Sequence, residues 1–466
     1  MKKGQIYEGL VECVKFPNKG VVRIEEIPCS VPYALPGQVV RFRILKMKNG
    51  KANARLLEVV KESLPINGRL CSHFGACGGC NYLSLPYDTQ LHIKEQQVRL
   101  ILERALLAQE SEWTFQGITP SPNIYEYRNK MEFSFGDAYK DGPLTLGMHK
   151  RDSFYDVAET GDCLLVDEDF RLIQKAVLSY FRQHQTPYYH RMKRTGFLRH
   201  LLLRKAAGTH EILLALVTTK DEAYDEQVRG CMELLRSLRT LQGEIVGLLH
   251  IENDSIADVV KNQHVKILYG RTFFMERILE LSFKISAFSF FQTNTRGAEV
   301  LYEIVRQYCK ESLTSGKEVS TIFDLYCGTG TITQIVAPLA KKVVGVEIVE
   351  EAVMAARENA ALNEIANCEF IAGDVLTTLD ELADKPDLII LDPPRDGVHP
   401  KALPKILAYQ VEYILYISCK PTSLARDLAT FLAAGYHMQK AVAVDLFPWT
   451  SGVETVCILT NIRNNF

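Results

Sequence analysis

The apolar run ILYIS ends on Ser418 and leads directly into Cys419, Lys420 and Pro421. Proline stops a strand, so the pattern predicts a thiol at the carboxyl end of a sheet, where open α/β folds bind their ligands. A core cysteine usually lies within a strand, whereas one at the tip is placed for nucleophilic attack. Upstream, FDLYCGTG (323–330) reads as a strand entering a glycine-rich turn before the helical stretch TITQIVAPLA. Such a turn lets backbone approach a ligand, but many nucleotide-binding folds share it. VVGVEI carries Glu347, 17 positions after Gly330, a carboxylate placed to hold two ribose hydroxyls and to repel a 2′-phosphate. Asp374 follows the strand in FIAGDV, where it can accept from an adenine amino group. LDPPR (391–395) closes a further strand. Amino-methyltransferases use a related Asn/Asp-Pro-Pro-Tyr to grip a planar amine, with Arg395 here in the aromatic position. A dehydrogenase has no use for that tetrapeptide, although an NAD fold with unrelated downstream acids is the competing reading.

A second constellation is Cys71, Cys77 and Cys80, separated by five and two residues, with Gly75, Gly78 and Gly79 between them. Small residues let backbone wrap a cluster and donate to its sulfurs. Iron–sulfur and zinc both suit thiolates, and spacing does not choose between them. The chain has 12 cysteines, and its opening MKKGQIYEGLVE has no apolar stretch of the signal-peptide kind, so a disulfide framework is not expected. The expectation is a cytoplasmic protein, monomeric, with no membrane or DNA partner.

These residues need several elements to position them. At 466 residues the chain exceeds one compact core. Residues 1–62 alternate apolar and polar positions in short runs broken by turn signals, the pattern of a small antiparallel barrel. Residues 63–285 read as an α+β middle domain, with a charged amphipathic helix from about Tyr87 to Leu107 expected to pack on the catalytic domain. Residues 286–466 alternate helices with short apolar strands, which predicts an α/β, doubly wound parallel sheet of the Rossmann type. Net charge is −2, with 54 basic and 56 acidic residues, no general sign of a nucleic-acid binder. The stretch from His190 to Lys205 nevertheless carries many Lys and Arg and no acid. It reads either as a solvated strand and turn or as an RNA-facing stripe.

Taken in order, SFFQTN (289–294), DLYCGTG (324–330), DPPR (392–395), YISCKP (416–421) and DLFPWTSGVETV (445–456) resemble the RNA (uracil-5-)-methyltransferase family over essentially the whole chain. NKGVVRI and YALPGQVVRFRI also resemble TRAM, an RNA-binding barrel of the OB type. Lys420 stands where the family usually has asparagine, and Trp449 where it often has histidine. The resemblance implies S-adenosylmethionine as cofactor and methyl transfer to carbon 5 of a uridine. Attack by the Cys419 thiolate on carbon 6 makes carbon 5 nucleophilic, and Glu454 is the implied base for the last proton. It assigns cofactor contacts to Gln292, Tyr326, Glu347 and Asp392, with Asp374 toward adenine. RNA contacts fall to Arg128 and Lys130, and Arg395 to the sugar-phosphate. Asp392 is also placed to orient a flipped uracil.

In the same family Cys163, in ETGDCLLVD, completes a 4Fe–4S ligand set with Cys71, Cys77 and Cys80. Members with both barrel and cluster often act on 23S ribosomal RNA, which is the substrate implied here, with transfer RNA the alternative. The rival classes are a non-catalytic RNA-binding protein with a methyltransferase-like fold and a small-molecule methyltransferase. Cys419, Asp392 and Glu454 argue against the first, and the N-terminal barrel against the second.

Overall fold

The computed structural model describes residues 1–63, 68–256, 264–313 and 320–461. The N-terminal strands close into a barrel in the order Ile6–Lys15, Lys19–Ile24, Ile27–Pro32, Lys51–Lys61, Val39–Lys48. Val40, Phe42 and Ile44 fill its interior while Arg41 and Arg43 face water. A one-residue slip would turn those arginines into the core, and this fixes the register.

A seven-stranded sheet follows, ordered His264–Gly270, Glu244–Glu252, Glu211–Thr218, Leu198–Lys205, Lys130–Asp137, Leu144–His149, Val157–Glu159. Helices Glu168–Gln183 and Asp225–Ser237 bury Phe170, Val177, Phe181, Val228 and Leu235 in the core shared with it. The central strand Leu198–Lys205 is buried along its whole length. Neither reading of the basic run therefore holds for its second half. Arg199 donates to the carbonyls of Asn253 and Ser255, Arg204 to those of Ser286 and Ser289, and Lys205 pairs with Asp167 and Asp169. The consecutive Leu201, Leu202 and Leu203 draw this strand inside, and its cations follow because each finds a polar partner.

The third sheet is ordered Cys368–Ala372, Lys342–Glu347, Thr321–Leu325, Leu388–Leu391, Tyr413–Ser418, Glu454–Asn461, Tyr436–Val444, Thr114–Thr119. The first five run parallel, and Glu454–Asn461 is antiparallel to both neighbours. This is the doubly wound α/β architecture. Its far edge differs from the division at residue 285. Thr114–Thr119 lies early in the chain yet pairs with Tyr436–Val444, because Phe115 and Ile118 find apolar cover there. The helix Tyr87–Ala105 buries Val98 and Leu102 in the same core as Leu424 and Leu428, and Gln97 donates to the Val14 carbonyl of the barrel at 3.0 Å. A further core runs continuously from Leu213 and Leu249 of the middle sheet to Ile390 and Leu415 of the catalytic one. Among the described residues no helix is long and apolar enough to cross a membrane.

Candidate active site

Strand register brings the chemistry together. Leu391 pairs with Tyr416, and Ser418 pairs with Thr455. One residue beyond each pairing stand Asp392, Cys419 and Glu454, so Cys419 faces Glu454 across an antiparallel pair, with Asp392 at the neighbouring strand end. Glu454 is 3% exposed, and loss of water pushes its carboxyl up to about 8, with Asp392 adding and Arg395 opposing. Burial raises half-buried Asp392 to about 7, with Asp324 the next cause. The half-buried Cys419 thiol is pushed up to about 11 by burial, then by Glu454 and Asp392, against Arg395. A dry cleft with several carboxyls and one exposed arginine at its mouth favours neutral acids until a cation enters.

The glycine-rich turn lies beside these strand ends. Tyr326 and Gly328 adopt positive φ angles of 69° and 55°. A Cβ on Gly328 would come no nearer than 4.0 Å to Phe290, so that glycine serves backbone conformation and leaves open space. Gly330 also has a positive φ, 72°, and a Cβ there would meet the Phe370 ring at 2.5 Å, so backbone and packing both require glycine. Glu347 is held on both oxygens: Gly328 N–H donates to Oε2 at 3.1 Å and Val349 N–H to Oε1 at 2.9 Å. Asp374 is exposed and caps the next short helix, its Oδ1 accepting from Leu376 N–H at 2.9 Å. Asp324 is fully buried, accepts from Thr333, and keeps Oδ1 without a partner.

A frame of side chains fixes the surrounding segments. Asn129 Nδ2 donates to the Gln292 carbonyl at 2.9 Å and to Thr295 Oγ1 at 2.8 Å, which ties the Arg128–Lys130 stretch to SFFQTN. Asn294 caps the helix Thr295–Ser312 and donates to the Leu446 carbonyl at 2.8 Å. Arg128 and Lys130 are both half-buried, and desolvation followed by Arg204 lowers the Lys130 amine to about 8. Arg395 is exposed.

Several residues of this frame escaped sequence reasoning. Asp445 is fully buried and accepts from Lys94 Nζ at 2.6 Å, Tyr87 OH at 2.9 Å and Gln90 Nε2 at 3.0 Å. Tyr87, Gln90, Lys94 and Gln97 recur at helical spacing, and that polar stripe on the buried face was the available signal. Tyr302, on the helix Thr295–Ser312, is 5% exposed, and its phenol is pushed up by burial and then by Asp392, Glu454 and Asp324. Nothing in its sequence context marks it. Trp449 is buried, with φ 67°, and stacks on Tyr125 at 5.2 Å. Its carbonyl accepts from Asn81 and Tyr82 N–H, joining the closing motif to the cysteine loop.

Cys71, Cys77, Cys80 and Cys163 line one pocket together with Arg128. All four are free thiols. Burial raises each of them, Cys71 to about 12, and in Cys71 and Cys80 the neighbouring sulfurs add to it. Gly79 N–H donates to Cys77 Sγ at 3.4 Å. The sulfurs stand around the pocket without converging: among the described residues no group of three or more His, Cys, Asp or Glu is arranged to hold a metal ion.

A family model described as tRNA (uracil-5-)-methyltransferase matches residues 255–462. The chain is 46% identical over 457 residues to a Clostridium tetani protein named uncharacterized RNA methyltransferase, covering 98% of each chain. It is 35% identical to a Porphyromonas gingivalis protein of the same name, covering 96% of this chain and 98% of that one. Among solved structures, the tRNA (uracil-54, C5)-methyltransferase of Pyrococcus abyssi in complex with S-adenosyl-L-homocysteine has a TM-score of 0.74 at 24% identity, over 97% of this chain and 100% of that one, a likeness of fold. With relatives this similar along its whole length, and a family model matched over residues 255–462, the chain belongs to the RNA (uracil-5-)-methyltransferase family.

Proposed function

We propose that this enzyme makes 5-methyluridine through a covalent bond between Cys419 and uracil. The observation that carries the reading is the register that sets Cys419 opposite buried Glu454. S-adenosylmethionine, when bound, supplies the methyl group that carbon 5 takes. Gln292, Tyr326, Glu347, Asp374 and Asp392 would hold it, and the orphaned Asp324 Oδ1 and the open space over Gly328 fit a cationic nucleoside there. Cys419 Sγ, as thiolate, bonds to carbon 6 and drives electron density onto carbon 5. After carbon 5 is methylated, the Glu454 carboxylate takes its proton. The freed pair restores the carbon 5–carbon 6 double bond as the carbon 6–sulfur bond breaks. Asp392 orients the flipped base, with Arg395, Arg128 and Lys130 toward the RNA backbone.

The N-terminal barrel is assigned as a TRAM module on its strand pattern. We further propose that the four free thiols around one pocket, three buried and Cys80 half-buried, with a backbone N–H on one sulfur, draw together to hold a 4Fe–4S cluster on Cys71, Cys77, Cys80 and Cys163. Its role there is to cross-link the cysteine loop to the Cys163 turn, outside the ionic chemistry at carbon 5.

We assign the substrate as 23S ribosomal RNA, on the combination of barrel and cysteine set. A second reading, transfer RNA, is favoured by the description of the family model that matches residues 255–462. Mapping 5-methyluridine in ribosomal and transfer RNA from cells with and without this chain tests both. Loss of one site in 23S RNA supports the assignment, loss in transfer RNA alone replaces it with the second reading, and loss in neither overturns both.

A further inference from the structure

We propose that a groove on the middle sheet binds an unstacked nucleotide of the single-stranded RNA that flanks the methylated uridine. The proposal rests on the RNA-methyltransferase reading but on none of its catalytic residues. The groove is lined by Phe154, Tyr155, Tyr188, Tyr189, His190 and Arg191 among others.

Its floor is rigid. Tyr188 OH donates to Asp137 at 2.9 Å, which also engages the one carboxylate lining the groove. The Tyr188 and His190 rings stack at 6.2 Å with 28° between planes. The Arg199 guanidinium lies 4.5 Å from the Tyr189 ring centre while donating to the carbonyls of Asn253 and Ser255. Its rim is the opposite, with Phe154 81% and Tyr155 58% exposed on the loop before the strand Val157–Glu159. Large aromatic faces left in water next to cations are what single-stranded nucleic acid uses, because every base offers a π face and every phosphate a charge. The cations come from the half of the basic run that stays at the surface: Arg191 in the groove, and exposed Lys193 and Arg194 in the same turn. A duplex keeps its bases inside and cannot use such rings.

The position suits RNA that continues toward the catalytic cleft. The loop that carries the rim begins at His149 and Lys150. There Gly78 N–H donates to the His149 carbonyl, and Arg151 donates to the carbonyls of Cys77 and Cys80. Arg128, which also lines the cysteine pocket, is bridged to Asn294 of the active-site frame.

Anisotropy of a fluorescein-labelled oligouridylate and of a blunt RNA duplex of equal length, on the full-length protein, tests this. Phe154→Ala with Tyr155→Ala should weaken oligouridylate binding about tenfold or more and leave duplex affinity unchanged. Phe154→Tyr with Tyr155→Phe should retain wild-type affinity. Arg191→Ala should weaken binding and flatten the salt dependence by about one phosphate contact. Both rim residues are exposed, so melting temperature and methylation at saturating RNA should not change. Unchanged oligouridylate affinity, or an equal loss on the duplex, overturns the proposal. Failure of the uracil-methylation reading would instead appear as no turnover by the wild-type protein, whatever its binding.

Discussion

Replacing Glu454 with glutamine should separate catalysis from stability in opposite directions. The side chain is 3% exposed, and burial holds its carboxyl up at about 8 against an ordinary 4.5. Between those values the unfolded chain ionises while the folded one does not, so folding stability falls as pH rises from about 4.5 to about 8. At pH 7 the deficit is roughly 3 kcal/mol, since each unit of pKa difference is worth about 1.4 kcal/mol. Glutamine keeps the size and removes the ionisation, so the variant should be more stable than wild type at pH 8 and nearly equal at pH 4, measured by denaturant unfolding followed through the catalytic domain.

The same substitution should stop the cycle after carbon 5 is methylated. Its proton then stays on, the thiol is not eliminated, and the enzyme remains joined to a methylated, saturated uracil. Denaturing electrophoresis with label in the cofactor's methyl group reads the adduct, and Cys419→Ala in the same chain should abolish it. In the wild type the Glu454 carboxylate and the Cys419 thiolate are the competent forms, so kcat/KM should rise with pH through about 8 and continue toward about 11. Normal turnover by Glu454→Gln, with no adduct and no change in the pH dependence of stability, would refute the reasoning.

Cys419→Ala alone should lose methylation by more than a thousandfold while S-adenosylhomocysteine still binds, because the thiol activates uracil and touches no cofactor group; calorimetry and a turnover assay check both halves. Protein purified anaerobically should carry about four irons per chain with absorbance near 400 nm, and Cys163→Ser should lose most of that iron, while one zinc per chain would replace the cluster assignment. Lys94→Met should cost about 3–5 kcal/mol in chemical denaturation, because the Asp445 carboxylate stays buried without its cation, and adding Asp445→Asn should recover most of that.

The catalytic half was legible because local signals carry it. Cys419 follows a strand that Pro421 stops, Gly328 requires a positive φ, Glu347 ends a short strand and Asp374 follows another. Each of those readings needs only a few adjacent residues. Glu454 was different, for no pattern in GVETV says that its strand runs antiparallel to the one before Cys419, and its role was given only by the family resemblance. The same limit explains Thr114–Thr119, which pairs with residues more than 300 positions later, and Lys94, whose partner Asp445 lies 351 residues away. It also explains the basic run. Charge spacing reports composition, whereas burial depends on which strands flank Leu198–Lys205, and the chain supplies those from residues 130–137 and 211–218. Arg204 and Lys205 then became interior ties, and Arg191 to Arg194 stayed outside because their turn precedes the buried strand that Leu198 begins. Where a polar residue's role depends on a partner brought in by register, sequence shows the charge, and the fold decides whether it meets water, a carboxylate or RNA.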